Sequence, residues 1–510
     1  MRLRKSWRLP LRLSLQHLGY MTTPPPTQKK SIDWPAVLGP LLASERDQQN
    51  VVTPAELSTL EAATLAYVRR AVRPRPGLSL EHLPFPTETI PWFPPGRFLC
   101  DSSGQAPVRP GAFLHYAAGD YYIQDAGSML ALALCNVQPG EWVCDTCAAP
   151  GGKSSGLLEA MRGQGILLAN EVIRSRLAML NLTLVRCGSP NHLTTNLEVE
   201  ELGRLCGRAF DCVLVDAPCT GQTMVARGKQ SMAAFGPTQI AHSSARQQRI
   251  LRAAADLVKP GGRMVYSTCA FSYEENERIV HDFLTQHPEW RTSVVEQMDE
   301  WSSPVAEGCY RVWPHRHGCS GAFAAVLVNH GDSTESIGSA DSSAHARIRK
   351  PSQRVWEQLA ALPQSPHWLP DLEGAQWWRN RDQLHLFDAR LPTEWIEAAA
   401  IAGTDMADIQ CPNAHNVRLE LWTPSFGGSQ LTINPDFSSS APIPSACTPT
   451  IELDDAQAIR YVAGETMGCD CQESSWCLVT WRGRTLSWGK LTQGKLKNHF
   501  PKALRQKATV

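Results

Sequence analysis

An open, mostly parallel α/β sheet covered by helices on both faces is the fold predicted for the middle of this 510-residue sequence. Three observations predict it. From Glu141 to about His330, short apolar runs alternate with helical periodicities, the pattern of strands joined by crossover helices. A glycine-rich turn, Asp145-Thr146-Cys147-Ala148-Ala149-Pro150-Gly151-Gly152-Lys153-Ser154, separates one apolar run from a helix carrying Leu157, Leu158 and Met161. Acids close three of the runs, at Asp145, Glu171 and Asp216, where sheets of this kind hold ligands.

The elements follow in chain order. Residues 1–30 carry no acid, begin Met1-Arg2-Leu3-Arg4-Lys5 and include Pro24-Pro25-Pro26. They read as a disordered basic extension, with a transit peptide as the sharper alternative. Over 31–112, Thr53-Pro54-Ala55-Glu56 sets a cap, a first-turn proline and a glutamate reaching back, and Leu57, Leu60, Leu65 and Val68 supply an apolar stripe. Residues 72–112 are rich in proline and glycine and read as loops with short strands. Within 113–330, Tyr121 to Met129 leads into a helix through Leu134. Strands are then predicted at 141–145, 166–171, 191–195, 210–216, 263–268 and 321–328, with helices at 154–162, 172–186, 238–258 and 273–287. Lys259-Pro260-Gly261-Gly262 reads as the turn that stops a helix and starts a strand. A polar linker at 331–346 precedes a middle unit at 347–433 with Trp356, Trp368, Trp377, Trp378, Trp395 and Trp422. A Pro/Ser linker at 434–450 precedes a last unit at 451–510. There Trp476–Trp481 and Thr485–Trp488 flank Arg482-Gly483-Arg484 as a hairpin.

Charge is balanced, with 49 Lys and Arg against 49 Asp and Glu, which by itself argues against a nucleic-acid partner. Its distribution argues otherwise. From Arg482 to Val510 there are eight Lys or Arg and no acid, either a local phosphate-binding surface or a solvated tail. No apolar run reaches about 18 residues, so no membrane span is expected. Sixteen cysteines in a long chain without a secretory signal read as reduced thiols.

The turn after the first core strand is neither Gly-x-Gly-x-x-Gly nor a phosphate loop, so an ordinary dinucleotide or ATP site is not indicated. Gly151 and Gly152 are read as letting a ligand approach the backbone. Glu171, twenty residues beyond Gly151, ends the second strand, where such folds hold ribose hydroxyls. A ligand with a ribose and no phosphate grip fits this pattern, and S-adenosylmethionine is one. Two cysteines, Cys219 in Asp216-Ala217-Pro218-Cys219-Thr220-Gly221 and Cys269 in Ser267-Thr268-Cys269, follow the carboxyl ends of two further strands and are placed to share a pocket with Asp216. Most other cysteines read as small buried hydrophobes. Cys144 and Cys147 have redox spacing without a thioredoxin-like context. The sets Cys309, His315, His317, Cys319 and Cys469, Cys471, Cys477 lack the paired spacing of structural zinc, so no metal is expected. Tryptophans of the last two units read first as core or interdomain packing, and second as base-stacking surfaces.

Together, Ala149-Pro150-Gly151-Gly152-Lys153, the Pro218-Cys219 motif and the Thr268-Cys269 motif resemble the Sun/Fmu family of RNA 5-methylcytosine methyltransferases. The likeness runs from about Gly96 to Leu327 and takes in Tyr122-Ile123-Gln124, Trp313-Pro314-His315 and Gly321-Ala322-Phe323. Trp488-Gly489-Lys490, Gly494-Lys495-Leu496-Lys497-Asn498 and Pro501-Lys502 resemble the PUA-like C-terminal domain of the RsmF type, whose members methylate 16S ribosomal RNA near the decoding site. The resemblance implies a Rossmann-like class I methyltransferase with a seven-stranded sheet, a smaller middle unit and a β-rich PUA-like domain. It implies S-adenosylmethionine as cofactor, contacted by Cys147, Ala148, Ala149, Pro150, Gly151, Gly152, Lys153, Glu171, Asn196 and Asp216. It implies Cys269 as nucleophile, Cys219 in proton removal and product release, and Asp216 and Lys153 as their partners. Spacing alone does not rank the two cysteines. Asn196 stands where the family usually has an aspartate, and Ala71-Val72-Arg73-Pro74-Arg75-Pro76 stands where it has Arg-Val-Asn-Thr-Leu-Lys. A cytoplasmic monomer acting on 16S rRNA or the small subunit is expected. Three alternatives stay open: the same chemistry on tRNA, a non-catalytic RNA-binding assembly factor, and DNA methylation, for which the Pro-Cys nucleophile arrangement and a separate recognition domain are lacking.

Overall fold

The computed structural model describes residues 32–42, 51–66, 68–100, 108–187, 191–331, 450–470 and 476–510, with five short segments between 375 and 421. The basic extension expected at 1–30, nearly all of both linkers, and Trp356, Trp368 and Trp422 lie outside these residues.

The chain opens with a small helix, Trp34–Leu38, and a second, Leu57–Leu65, entered through the Thr53–Glu56 turn. Glu56 Oε2 accepts from Thr53 N–H at 3.0 Å and from its hydroxyl at 2.9 Å. Leu60 of the expected stripe is buried, but Leu65 is 47% exposed, because the helix ends there and turns away from the core. The proline-rich stretch forms an antiparallel sheet of Ala71–Pro74 (β1), Thr87–Ile90 (β2) and Phe93–Leu99 (β3) with Tyr121–Ile123 (β4), in the order β2-β3-β1-β4.

The central sheet takes Trp142–Asp145 (β5), Ile166–Asn170 (β6), His192–Thr195 (β7), Phe210–Asp216 (β8), Val258–Thr268 (β9), Trp290–Thr292 (β10), Cys309–Val312 (β11) and Ala322–Asn329 (β12). Its path is β10-β12-β9-β8-β5-β6-β7, with β11 paired to β12. Seven strands lie on this path, as expected, and β11, four residues long, adds an eighth, antiparallel on β12. Strands β5 to β9 are parallel, and β6 and β8 flank β5 on opposite sides, so the crevice where strand order reverses opens at Asp145 and Asp216. The expected turn Lys259-Pro260-Gly261-Gly262 lies inside β9: pairing to β8 jumps from Phe210↔Val258 to Cys212↔Arg263, and the intervening residues bulge out. The helix expected at 172–186 starts only at Leu177, after a short turn. The reason is local, since Glu171 Oε1 accepts the Ile173 N–H at 2.8 Å and holds 171–173 outside the helix.

In the middle unit, Ala375–Asn380, Gln383–Asp388, Thr404–Gln410 and Arg418–Leu421 pair antiparallel in that order. Its helix, Thr393–Ala398, sets Trp395 against Trp142 and Phe210, with ring centroids 5.5 and 5.3 Å apart. For Trp395, interdomain packing is what the structure shows. The last unit is a five-stranded sheet with a helix, Asp455–Val462. Its central hairpin turns on two residues, Arg482 and Gly483, both at positive φ, the backbone a tight hairpin twist requires. This unit packs on the short helix Leu114–Ala117: Leu114 N–H reaches Thr509 O and Thr509 N–H reaches Ala112 O, each at 2.7 Å. Beneath that contact Arg484 pairs with Asp120 at 2.9 Å, both side chains nearly buried, and His115 meets the Trp481 ring edge-on. Among the described residues no helix is long and apolar enough to cross a membrane.

Candidate active site

The first wall of the crevice is the turn after β5. Ala148 N–H binds Asn170 O at 2.8 Å and Thr146 N–H binds Leu214 O at 3.0 Å, so the turn is tied to both neighbouring strands. Gly151 begins the helix Gly152–Met161 with φ +103°. A Cβ there would stand 2.8 Å from Thr183 Cβ, and one on Gly152 would stand 3.2 Å from the Tyr122 ring. The two glycines thus let the loop seat against the protein, where the sequence suggested room for a ligand. Asp145 is buried, accepting from Ser154 Oγ at 2.6 Å and from Cys147 N–H at 3.3 Å. Burial, with Asp216 nearby, pushes its carboxyl up to about 7 against the Ser154 hydrogen bond. Burial likewise pushes the Cys147 thiol up to about 12, so that thiol stays protonated.

The second wall follows β6. Glu171 is 2% exposed; its Oε1 is engaged with Ile173 N–H, while Oε2 is buried with no hydrogen-bond partner and lies 3.1 Å from Arg176 Nη1. That contact is an ion pair without hydrogen-bond geometry. Arg176 also donates to Ala149 O, linking the two walls. Asn196 donates to Glu171 O at 2.6 Å and Val172 O at 2.8 Å, so its amide nitrogen is spent holding this loop. Sequence reasoning missed Arg176, Ser154 and Thr183. Arg176 sits in a stretch read as plain helix, and the two hydroxyls are single polar positions on helices that otherwise read as packing.

The third group follows β8 and β9. Asp216 accepts from Lys153 Nζ at 2.7 Å through one oxygen and from Ser267 Oγ at 2.9 Å through the other. Burial works against the Lys153 ammonium, but Asp216 beside it more than offsets this and holds its pKa above the ordinary value. The Cys219 and Cys269 sulfurs are 3.1 Å apart. The hydrogen bond from Cys219 lowers the Cys269 thiol below its ordinary value, opposed by burial and helped by the Lys153 charge. Giving that hydrogen bond, with burial and the nearby Glu275 charge, drives Cys219 well up. Of the two thiols, Cys269 is the one these surroundings make the more acidic. The structure brings together Lys153, Asp216, Cys219 and Cys269, and sets Cys147 to Gly152, Glu171 and Asn196 along the adjoining wall.

The sequence matches the family model for 16S rRNA methyltransferase RsmB/F over residues 131–328, and that for the methyltransferase RsmF PUA domain over residues 448–506. The ribosomal RNA small subunit methyltransferase F of Aeromonas salmonicida aligns with it over 84% of this chain and 87% of its own length at 25% identity. The chain thus carries an RsmB/F methyltransferase match followed by an RsmF PUA match. The corresponding enzyme of Klebsiella pneumoniae is 33% identical over 47% of this chain, an alignment spanning about half (51%) of that relative. A solved methyltransferase homolog protein from Pyrococcus horikoshii aligns over 54% of this chain and 90% of its own at 28% identity, with a TM-score of 0.46. The methyl donor of the family is S-adenosylmethionine. The residues present fit it: the unpartnered Glu171 Oε2 is an acceptor suited to ribose hydroxyls.

Proposed function

We propose that this chain methylates carbon 5 of a cytosine in 16S ribosomal RNA, through a covalent adduct with Cys269. The observation that carries the reading is the pair of sulfurs 3.1 Å apart beside the Lys153–Asp216 ion pair. When bound, S-adenosylmethionine supplies a methyl group on an electrophilic sulfonium; Cys147 to Lys153, Glu171, Asn196 and Asp216 are the residues to hold it. Carbon 5 of cytosine is a poor nucleophile, and a thiolate adding to carbon 6 turns the ring into an enamine-like one. Cys269 is that thiolate. Asp216 takes the N3 and amino edge of the base, where a shared proton raises the ring's electrophilicity. Lys153 orients Asp216 and favours the charged sulfur. Cys219, once its own thiol proton has passed to solvent, accepts the carbon 5 proton, and the electron pair of the broken C–H bond expels Cys269 from carbon 6 as a thiolate.

The names of the relatives support ribosomal RNA of the small subunit as substrate, and the PUA match with the acid-free Arg482–Val510 stretch supports RNA as partner. The target base must leave its stack to reach the sulfurs, which favours a loop or an incompletely assembled subunit. The test supplies tritiated S-adenosylmethionine to small subunits, 16S RNA and tRNA. Label enters the ribosomal substrate, is lost in Cys269→Ala, and is replaced in Cys219→Ala by a trapped protein–RNA adduct. Label on tRNA alone would move the substrate. No label on any RNA despite cofactor binding would make the chain an assembly factor.

A further inference from the structure

Cys219 and Cys269 sit on separate loops that touch directly, Ala217 N–H reaching Ser267 O at 2.9 Å and Thr223 N–H reaching Cys269 O at 3.3 Å. The turn that follows β9 grips both loops as well. Glu275 and Asn276, both fully buried, end that turn. Glu275 takes the Thr220 N–H at 2.9 Å on one oxygen and the Thr220 hydroxyl at 2.6 Å on the other. Gln247 Nε2 bridges Glu275 Oε2 at 3.0 Å to Pro218 O at 3.2 Å. Residues on either side of Cys219 are thus held by one carboxylate. Asn276 does the same for Cys269: its Oδ1 accepts from the Thr268 hydroxyl at 2.5 Å, and its Nδ2 donates to Ala270 O at 2.9 Å. The Tyr266 hydroxyl pins the turn itself, donating to Glu275 O at 2.6 Å.

We infer that Glu275 and Asn276 are positioning residues for the reaction, two neighbours in sequence that each grip the flanks of one cysteine and so set the spacing of the two sulfurs. The inference rests on the roles given above to Cys219 and Cys269. Neither residue faces the base; each acts through a cysteine-bearing loop. Buried acceptors and donors of this kind specify one geometry because leaving any of them unpaired is costly.

The test compares Glu275→Ala, Asn276→Ala and Glu275→Gln in the full-length chain. Glutamine can still accept from the Thr220 N–H and Gln247 through its oxygen and donate to the Thr220 hydroxyl, so it keeps the grip without the charge. Both alanine variants should lose at least about 100-fold in kcat, the scale of a misplacement of about 1 Å, with RNA KM and cofactor Kd little changed. Glu275→Gln should recover most of the loss. A second readout needs no RNA: diamide takes up two hydrogens as the Cys219 and Cys269 thiols close to a disulfide, followed by mass. Wild type and Glu275→Gln should close readily and the alanine variants should not, on the same time scale. Alanine variants that close like wild type and keep their kcat overturn the inference, as does a loss of cofactor binding in step with kcat. Should wild type methylate no RNA, the functional reading fails while the closure comparison still decides the positioning role.

Discussion

Glu171 offers the sharpest quantitative test of the cofactor wall. Its Oε1 is satisfied by Ile173 N–H, whereas Oε2 is buried, lacks a hydrogen-bond donor and sees only the Arg176 charge at 3.1 Å. Glu171→Gln keeps the shape and the Ile173 contact but replaces the charged acceptor with an amide. A hydrogen bond to a charged group contributes about 1.5–3 kcal/mol. Loss of that acceptor for a ribose hydroxyl should therefore weaken S-adenosylmethionine binding by roughly 10- to 150-fold. Isothermal titration of the purified variant reads this directly. The unliganded melting temperature should not fall, because the substitution removes a buried charge and opens no cavity. An affinity within about threefold of wild type, where a lost charged hydrogen bond costs at least tenfold, would refute the placement of the ribose at Glu171.

Four further outcomes follow from contacts described here or adjoining them. Arg311 and Glu277 form a bidentate pair, 2.6 Å at each contact and almost fully buried, so Glu277→Ala should destabilise by about 3–5 kcal/mol in denaturant melts, while replacing both by methionine should cost far less. For Asp145 the folded carboxyl is raised to about 7, so its contribution is full below the unfolded value near 3.8 and is lost as pH rises through 7. Wild type minus Asp145→Asn should accordingly fall by an amount on the order of 4 kcal/mol between pH 4 and pH 8 in parallel melts. Arg484→Ala strands the Asp120 carboxylate, and faster hydrogen exchange at residues 112–120 and 505–510 should report loosened packing of the last unit. Asn196→Asp restores the residue usual in the family but turns a donor to two carbonyls into an acceptor, so cofactor affinity should drop, measured by the same titration.

Much of the crevice was legible because its chemistry lies at strand ends that apolar runs mark clearly. Phe210–Asp216 matches the predicted boundaries, and Asp216 falls where a buried strand must stop. Cys219 and Cys269 were each placed past a strand, and parallel pairing of β8 to β9 is what makes them neighbours. Four features escaped for physical reasons. Proline and glycine at 260–262 signal a stop, yet a bulge uses the same residues without ending the strand. Strands β10 and β11 are too short to show a period. Glu275 and Asn276 read as a helix start, since a capping pattern does not reveal that its side chains are turned towards two other loops. The two carbonyls that the Asn196 amide holds are likewise a long-range matter that sequence does not show.

Trp395 joins the central sheet at Trp142 and Phe210, which are the first residues of β5 and β8, whereas the reactive groups follow their last. Anchorage and chemistry therefore occupy opposite poles of the same two strands. The described helix of the middle unit is thus anchored at the end of these strands away from the sulfurs.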